Sequence, residues 1–131
     1  MVPKTTQSAV SAMENKELTN THLRYLLAIY ELGRGGSAVG SAQGAGMLGV
    51  SKPSVNRMLT VLAEQELVAK ERYGKIVLTD LGINVAKHYQ ERLDMLMQRI
   101  PDMGLDLDQQ TVEAAAIALV TVLPGHYFGK S

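Results

Sequence analysis

The sequence predicts a mainly α-helical fold that carries one small β-hairpin, and three stretches support that reading. Residues 51–65, SKPSVNRMLTVLAEQ, place Val55, Met58, Leu59 and Leu62 at the i, i+3, i+4, i+7 spacing of one buried helical face. Residues 69–79, AKERYGKIVLT, alternate about a Tyr73-Gly74 turn, the pattern of a hairpin. Residues 80–100 then sustain an apolar stripe through Ile83, Ala86, Tyr89, Leu93, Leu96, Met97 and Ile100, longer than a small domain needs for its own core.

Composition bounds what such a fold can do. The 131 residues suffice for one domain, or one small domain with an appended dimerisation element, and a hydrophobic content of 46% supports a real core. With no Trp and one Phe, that core is built from Leu, Val, Ile, Ala, Met and a few Tyr. Thirteen basic residues balance thirteen acidic ones, so nucleic-acid binding would require a local basic patch rather than bulk charge. The absence of cysteine excludes a disulfide framework, a thiolate metal site and a cysteine nucleophile. No signal peptide is visible, and the most apolar run, residues 114–123, is far too short to cross a bilayer. The chain therefore reads as soluble and cytoplasmic, with no membrane partner.

Taken in order, residues 1–17 read as a flexible N-terminal arm, small and polar. A helix is expected over 21–32, capped by Thr19 or Asn20, with Leu23, Leu26, Leu27 and Tyr30 as its buried stripe. Gly33, Gly35 and Gly36 end it and open a connector; neither dinucleotide nor Walker glycine spacing is present. Residues 39–49 are expected to form a support helix, poor in helix formers because Gly44 and Gly46 interrupt it, with Met47 and Leu48 as apolar contacts. Gly49 is the turn residue and Val50 fills the corner before the next helix.

That next helix has Ser51 as N-cap and Pro53 in its first turn, where a missing N–H costs nothing. Its outer face carries Ser51, Lys52, Ser54, Asn56, Arg57 and Thr60, with no carboxylate before Glu64. Such a donor-rich, anion-free surface suits entry into a DNA major groove. Two helices joined at Gly49 make a helix-turn-helix, and the hairpin behind them, with Lys70, Arg72 and Lys75 against Glu71, makes it winged. Thr79 caps the long helix, and Pro101 and Gly104 end it. Asp108 caps a last helix to about residue 123, uncharged beyond Glu113, and a helix apolar nearly all round calls for a partner subunit. The expected organisation is an arm over 1–17, a winged helix-turn-helix over 18–79, a helical dimerisation region over 80–124 and a tail over 125–131.

Either feature alone has a plain reading, a core helix or a solvated hairpin. Together they place two basic features on one side of a domain. Arg57 is the side chain for guanine, assisted by Asn56 or Ser54, while Lys52, Lys70, Arg72 and Lys75 would meet phosphates. The partner is double-stranded DNA. A competing reading is a winged-helix protein–protein interaction module that no longer binds DNA, for which the apolar last helix would serve. An enzyme is not expected, because no nucleophile–base arrangement, carboxylate pair or phosphate loop can be made out.

The chain resembles the metal-dependent repressors of the diphtheria-toxin-repressor and manganese-transport-regulator type. The matching residues are Tyr25-Leu26 and Ile29-Tyr30-Glu31-Leu32, then Leu48-Gly49-Val50-Ser51-Lys52-Pro53-Ser54-Val55. Leu78-Thr79 with Gly82, Gly104-Leu105-Asp106 and Glu113-Ala114 continue the match, so it runs over 18–122. The resemblance implies a winged-helix DNA-binding domain and a homodimer on a palindromic operator. It also implies that Ser51, Pro53, Ser54 and Arg57 approach DNA, and that Mn²⁺ or Fe²⁺ is held by the first, long and last helices. The positions matching those ligands are Arg24 and Leu27, Leu93 and Met97, and Ala115, Ala118 and Leu119. Arginine, leucine and alanine cannot ligate these ions. No metal site and no cofactor are therefore expected, and Arg24 would supply a fixed positive charge where the metal sits in relatives. His22, His88 and His126 fit no close-spaced ligand pair.

Overall fold

The computed structural model describes residues 18–34, 36–40, 43, 46 and 49–123. The N-terminal arm, the C-terminal tail, Gly44, Met47, Leu48 and His126 lie outside them. Among the described residues, four continuous helices and a three-stranded antiparallel sheet of order β1-β3-β2 make a winged helix with a helical region. The helices are α1 (Asn20–Leu32), α2 (Lys52–Glu64), α3 (Asp80–Arg99) and α4 (Gln109–Val122); the strands are β1 (Val39–Gly40), β2 (Val68–Lys70) and β3 (Lys75–Leu78). Among the described residues, no helix is long and apolar enough to cross a membrane.

Thr19 caps α1, its hydroxyl accepting from the His22 amide at 3.2 Å. Leu23, Leu26 and Leu27 are buried as expected, but Tyr25, Ala28 and Ile29 are buried too, while Tyr30 is only half-buried. The reason is position: α1 packs against α2, α3 and α4. Burial pushes the Tyr25 phenol up to about 12.

The expected support helix over 39–49 needs correction at its start. Val39 and Gly40 are extended and pair with Ile76 and Lys75 of β3. The β-branched Val39 side chain is buried, and Gln43 Oε1 accepts from the Gly40 amide at 3.0 Å. Gln43 and Gly46 are helical. Gly46 is exposed, with no atom near the position of a Cβ, so it does not serve close helix approach. Gly49 turns the chain at φ +68°, and Val50 packs against the core, both as expected.

The expected hairpin forms, with Val68 opposite Leu78, Ala69 opposite Val77 and Lys70 opposite Ile76. Val39, Val68, Ile76 and Leu78 turn inward, which buries one face of the sheet. Helix α2, the hairpin and α3 meet at Thr79. Its hydroxyl donates to the Glu66 carbonyl at 2.6 Å and accepts from the Gly82 amide at 3.0 Å, and its own amide donates to the Leu67 carbonyl at 3.0 Å. Gly82 lies so close to this joint that a Cβ there would collide with the Leu67 carbonyl oxygen.

Helix α3 buries Val85, Ala86, Tyr89, Arg92 and Leu93; Ile83, Leu96 and Met97 are half-buried. Arg92 is 7% exposed, its guanidinium 5.8 Å from the centre of the Tyr89 ring, a cation–π distance. A 3₁₀ turn, Ile100–Met103, carries Pro101, and Gly104 at φ +86° ends it. Asp108 caps α4 by accepting from the Thr111 amide at 2.7 Å, and hydrogen bonding from the Thr111 side chain, then from its amide, holds its carboxyl below the usual value. One hydrophobic core runs from Leu18 through α1, α2, the sheet and α3 to Val120 of α4.

Candidate nucleic-acid interface

The recognition face is built by the register of α2. Val55, Met58, Leu59 and Leu62 are buried, which turns Lys52, Pro53, Asn56, Arg57 and Thr60 to solvent and leaves Ser54 half-buried. Burying four such side chains fixes the helix rotation with several kcal/mol of hydrophobic stabilisation, at roughly 1.5–3 kcal/mol each. The polar face needs no contact of its own to hold its direction.

A short hydrogen-bonded chain organises the first half of that face. Ser51 Oγ accepts from the Ser54 amide at 3.4 Å and donates to Ser54 Oγ at 3.1 Å. Ser54 Oγ in turn accepts from Arg57 Nη2 at 3.2 Å. The Arg57 side chain is thus drawn toward the helix N-terminus, and the rest of its five-donor fork stays open to solvent. Thr60 differs: its hydroxyl donates to the Asn56 carbonyl at 2.8 Å, so its proton is spent within the helix.

The wing brings a second set of residues to this face. Asn56 and Leu59 of α2 line a cleft of about 140 Å³ together with Lys70, Glu71, Gly74, Lys75 and Ile76. Asn56, Lys70 and Lys75, far apart in sequence, share one groove. Arg72 lies at the tip, beside Tyr73 and Lys75 in a shallow depression. Lys52 and Pro53 sit at the other end of α2, exposed and away from the hairpin cleft. The structure also places the acid Glu71 and the turn residue Tyr73. Glu71 puts a carboxylate into the cleft between helix and wing, and Tyr73 stands at the tip, 95% exposed.

A separate cavity of about 380 Å³ opens between α1, α3 and α4. Arg24, Leu27, Ala28 and Glu31 line it from α1; Gln90, Leu93, Asp94 and Met97 from α3; Glu113 and Ile117 from α4. Arg24, Leu27, Leu93 and Met97 thus stand where the resemblance put the metal ligands. The α4 positions need correction: Glu113 and Ile117 face the cavity, whereas Ala115, Ala118 and Leu119 do not line it. Glu113 and Ile117 are one helical turn apart, so the offset is one of helix rotation.

Glu31, Gln90, Asp94 and Glu113 put on the cavity wall oxygen donors of the kind Mn²⁺ and Fe²⁺ take, but they share it with a resident cation. Arg24 holds a permanent cation in the cavity, its Nε donating to Asn20 Oδ1 at 2.8 Å and its Nη1 4.0 Å from Glu113 Oε1. Leu27, Ala28, Leu93 and Ile117 offer no donor atom, and a thioether such as Met97 suits neither ion. Among the described residues no three His, Cys, Asp or Glu side chains come together as an ion site. His22 lies at the α1 N-terminus, its Nδ1 2.7 Å from Thr19 Oγ1, and burial holds its imidazole below the ordinary value. His88 Nδ1 is 2.8 Å from the Asn84 carbonyl of its own helix.

Comparison with protein families matches residues 17–76 to the iron-dependent repressor, N-terminal DNA-binding domain. The match spans α1, the helix-turn-helix region, β2 and the first half of β3. No curated protein matches the chain.

Proposed function

We infer, from the premise that residues 17–76 form a DNA-binding domain of the iron-dependent repressor family, that this protein is a transcriptional repressor acting as a homodimer on a palindromic operator. The observation that carries the DNA reading is the shared face of α2 and the wing. On it lie Arg57, steered by Ser54, and the cleft that gathers Asn56, Lys70 and Lys75. Arg57 supplies the bidentate guanine contact and Asn56 an adenine contact, while Lys52, Lys70, Arg72 and Lys75 neutralise phosphates.

The dimer rests on α4. Ala114, Ala118 and Val122 form an exposed row at i, i+4, i+8, and Val122 is 74% exposed. Small residues in such a row let a second helix approach closely, and an exposed apolar row on a helix this hydrophobic favours a second copy of the chain. A two-fold axis through that contact would present two recognition helices to two half-sites about one DNA turn, or ~34 Å, apart.

We also propose that binding does not depend on a divalent metal. The support is chemical: a guanidinium paired with Glu113 occupies the cavity in which relatives would need ligands. The cation that draws α1 toward α4 is then part of the chain.

Selection of duplexes from a random library, followed by affinity measurements across salt concentrations, tests the DNA reading. Selected sequences are expected to be palindromic. Arg57→Ala should cost roughly 1–3 kcal/mol and relax preference at one base pair per half-site. Lys75→Ala should weaken selected and random DNA alike and lower the salt slope by about one. Equal effects of both substitutions on selected and random DNA would contradict the assignment.

A further inference from the structure

At the tip of the wing, the chain uses a residue that its backbone disfavours and its packing does not need. Tyr73 has φ +62° and ψ +35°, and Gly74 follows at φ +71°. The Lys75 amide donates to the Arg72 carbonyl across them, and the Glu71 amide donates to the Lys75 carbonyl at 2.7 Å. Two successive left-handed residues are what a tight hairpin turn of the primed kind requires, and Asn, Asp or Gly fill the first of them without strain. A tyrosine there is disfavoured by the contact between its Cβ and the backbone.

The side chain returns nothing to the fold, since Tyr73 is 95% exposed. Glu66 makes the contrast. It has the same φ of +62°, but it closes α2: the Leu67 amide donates to the Leu62 carbonyl, and the Glu66 carbonyl accepts from Thr79. At Glu66 the strained backbone is held by native hydrogen bonds and an exposed side chain is incidental. At Tyr73 the turn explains the backbone but not the aromatic ring. A large ring kept in water on a strained backbone points to a contact made outside the chain.

The surroundings say what kind. Arg72 and Lys75 flank the ring and line the same depression, and Lys75 also lines the cleft shared with Asn56 of the recognition helix. Glu71 lines the depression too, so the ring stands among two cations and one carboxylate. The net positive charge, on the edge next to α2, matches a nucleic-acid groove bounded by phosphates better than a protein surface. With α2 in the major groove, the tip of the hairpin meets the flanking minor groove. A phenol edge fits its width of ~6 Å, and the hydroxyl can donate to the acceptors that A·T pairs present there, while the guanine amino group obstructs the same position.

We propose that Tyr73 is a specificity-determining residue of the wing, entering the minor groove beside each half-site and favouring A·T pairs there. This rests on the DNA reading above. The test uses the full chain and the duplex that it selects from a random library. The variants are Tyr73→Asn and Tyr73→Gly, both of which relieve the strained backbone, and Arg57→Ala as a comparison.

Both Tyr73 variants should melt at or above the wild-type temperature and bind the selected duplex about tenfold more weakly, the scale of one lost aromatic contact to a base. Wild type should discriminate against G·C pairs in the flank and regain affinity when guanine there is replaced by inosine, which lacks the minor-groove amino group. The Tyr73 variants should not respond to that replacement. Unchanged affinity in stable Tyr73 variants, with Arg57→Ala still impaired, overturns the role of Tyr73 and leaves the DNA reading standing. In that case the ring serves another partner. Failure of the wild-type chain to select any duplex overturns both.

Discussion

The face of α2 and the wing, and the cavity between α1, α3 and α4, are both polar regions resting on the same core, yet they are built in opposite ways. On the α2 face, cations and donors project to solvent, and Arg57 is steered by neighbouring hydroxyls without being neutralised by a carboxylate. At the cavity, Arg24 lies partly exposed on the wall, 4.0 Å from the Glu113 carboxylate. The first arrangement leaves its charge for an external anion; the second satisfies it within the chain. On the proposed reading, the first is a binding surface and the second an internal charge pairing that stands in for a bound cation.

The joint between the two regions offers the largest perturbation. Gly82→Ala would place a methyl group against the Leu67 carbonyl, where the Thr79 amide also bonds. A backbone obstacle cannot rotate away, so a loss of about 3 kcal/mol is expected, at the upper end for overpacking. Chemical denaturation measures it. If Gly82→Ala also weakens DNA binding beyond what unfolding explains, the two regions are mechanically linked; if stability is unchanged, the joint is looser than this geometry.

A smaller effect sharpens the difference in charge. Arg24 and Glu113 are both partly exposed, so their ion pair contributes at most about 1 kcal/mol and is screened by salt. Arg24→Asp removes that pair and adds a carboxylate to Glu31, Asp94 and Glu113 around the cavity. Its melting temperature should fall slightly without metal and rise on adding Mn²⁺, while wild type shows no rise. A wild-type rise as large as the variant's would mean that the cavity accepts metal despite Arg24.

The smallest effect is that of pH on α1. Burial lowers the folded pKa of His22 below 6.5, so the unfolded chain takes up the proton first. The neutral imidazole's contribution to stability is therefore complete above about pH 6.5 and is lost as pH falls through the folded value. His22→Gln should melt with a shallower pH dependence than wild type between pH 7 and pH 5, and parallel curves would remove His22 from the account.

The two regions also differed in how far they could be read from sequence. The α2 face was legible because one local pattern fixes everything about it: Ser51 sets the start, and the Val55, Met58, Leu59 and Leu62 row sets the rotation. The cavity was legible only on its α1 and α3 walls. In α4 nearly every position after Glu113 is apolar, so hydrophobicity carries no phase, and the resemblance points to Ala115, Ala118 and Leu119 where Glu113 and Ile117 line the cavity. Strand β1 was hidden for another reason. Two residues, Val39 and Gly40, are extended only because β3 pairs with them from far along the chain. The burial of Tyr25, Ala28 and Ile29 reflects packing of α1 against three helices, which a one-faced periodicity does not express.

The central claim is that the α2 face and wing bind DNA without help from a metal. It is tested most directly by measuring affinity for the selected duplex by fluorescence anisotropy in excess chelator, and again in Mn²⁺ or Fe²⁺ at matched ionic strength. The same affinity is expected in all three conditions. Binding that appears only when metal is present would contradict it.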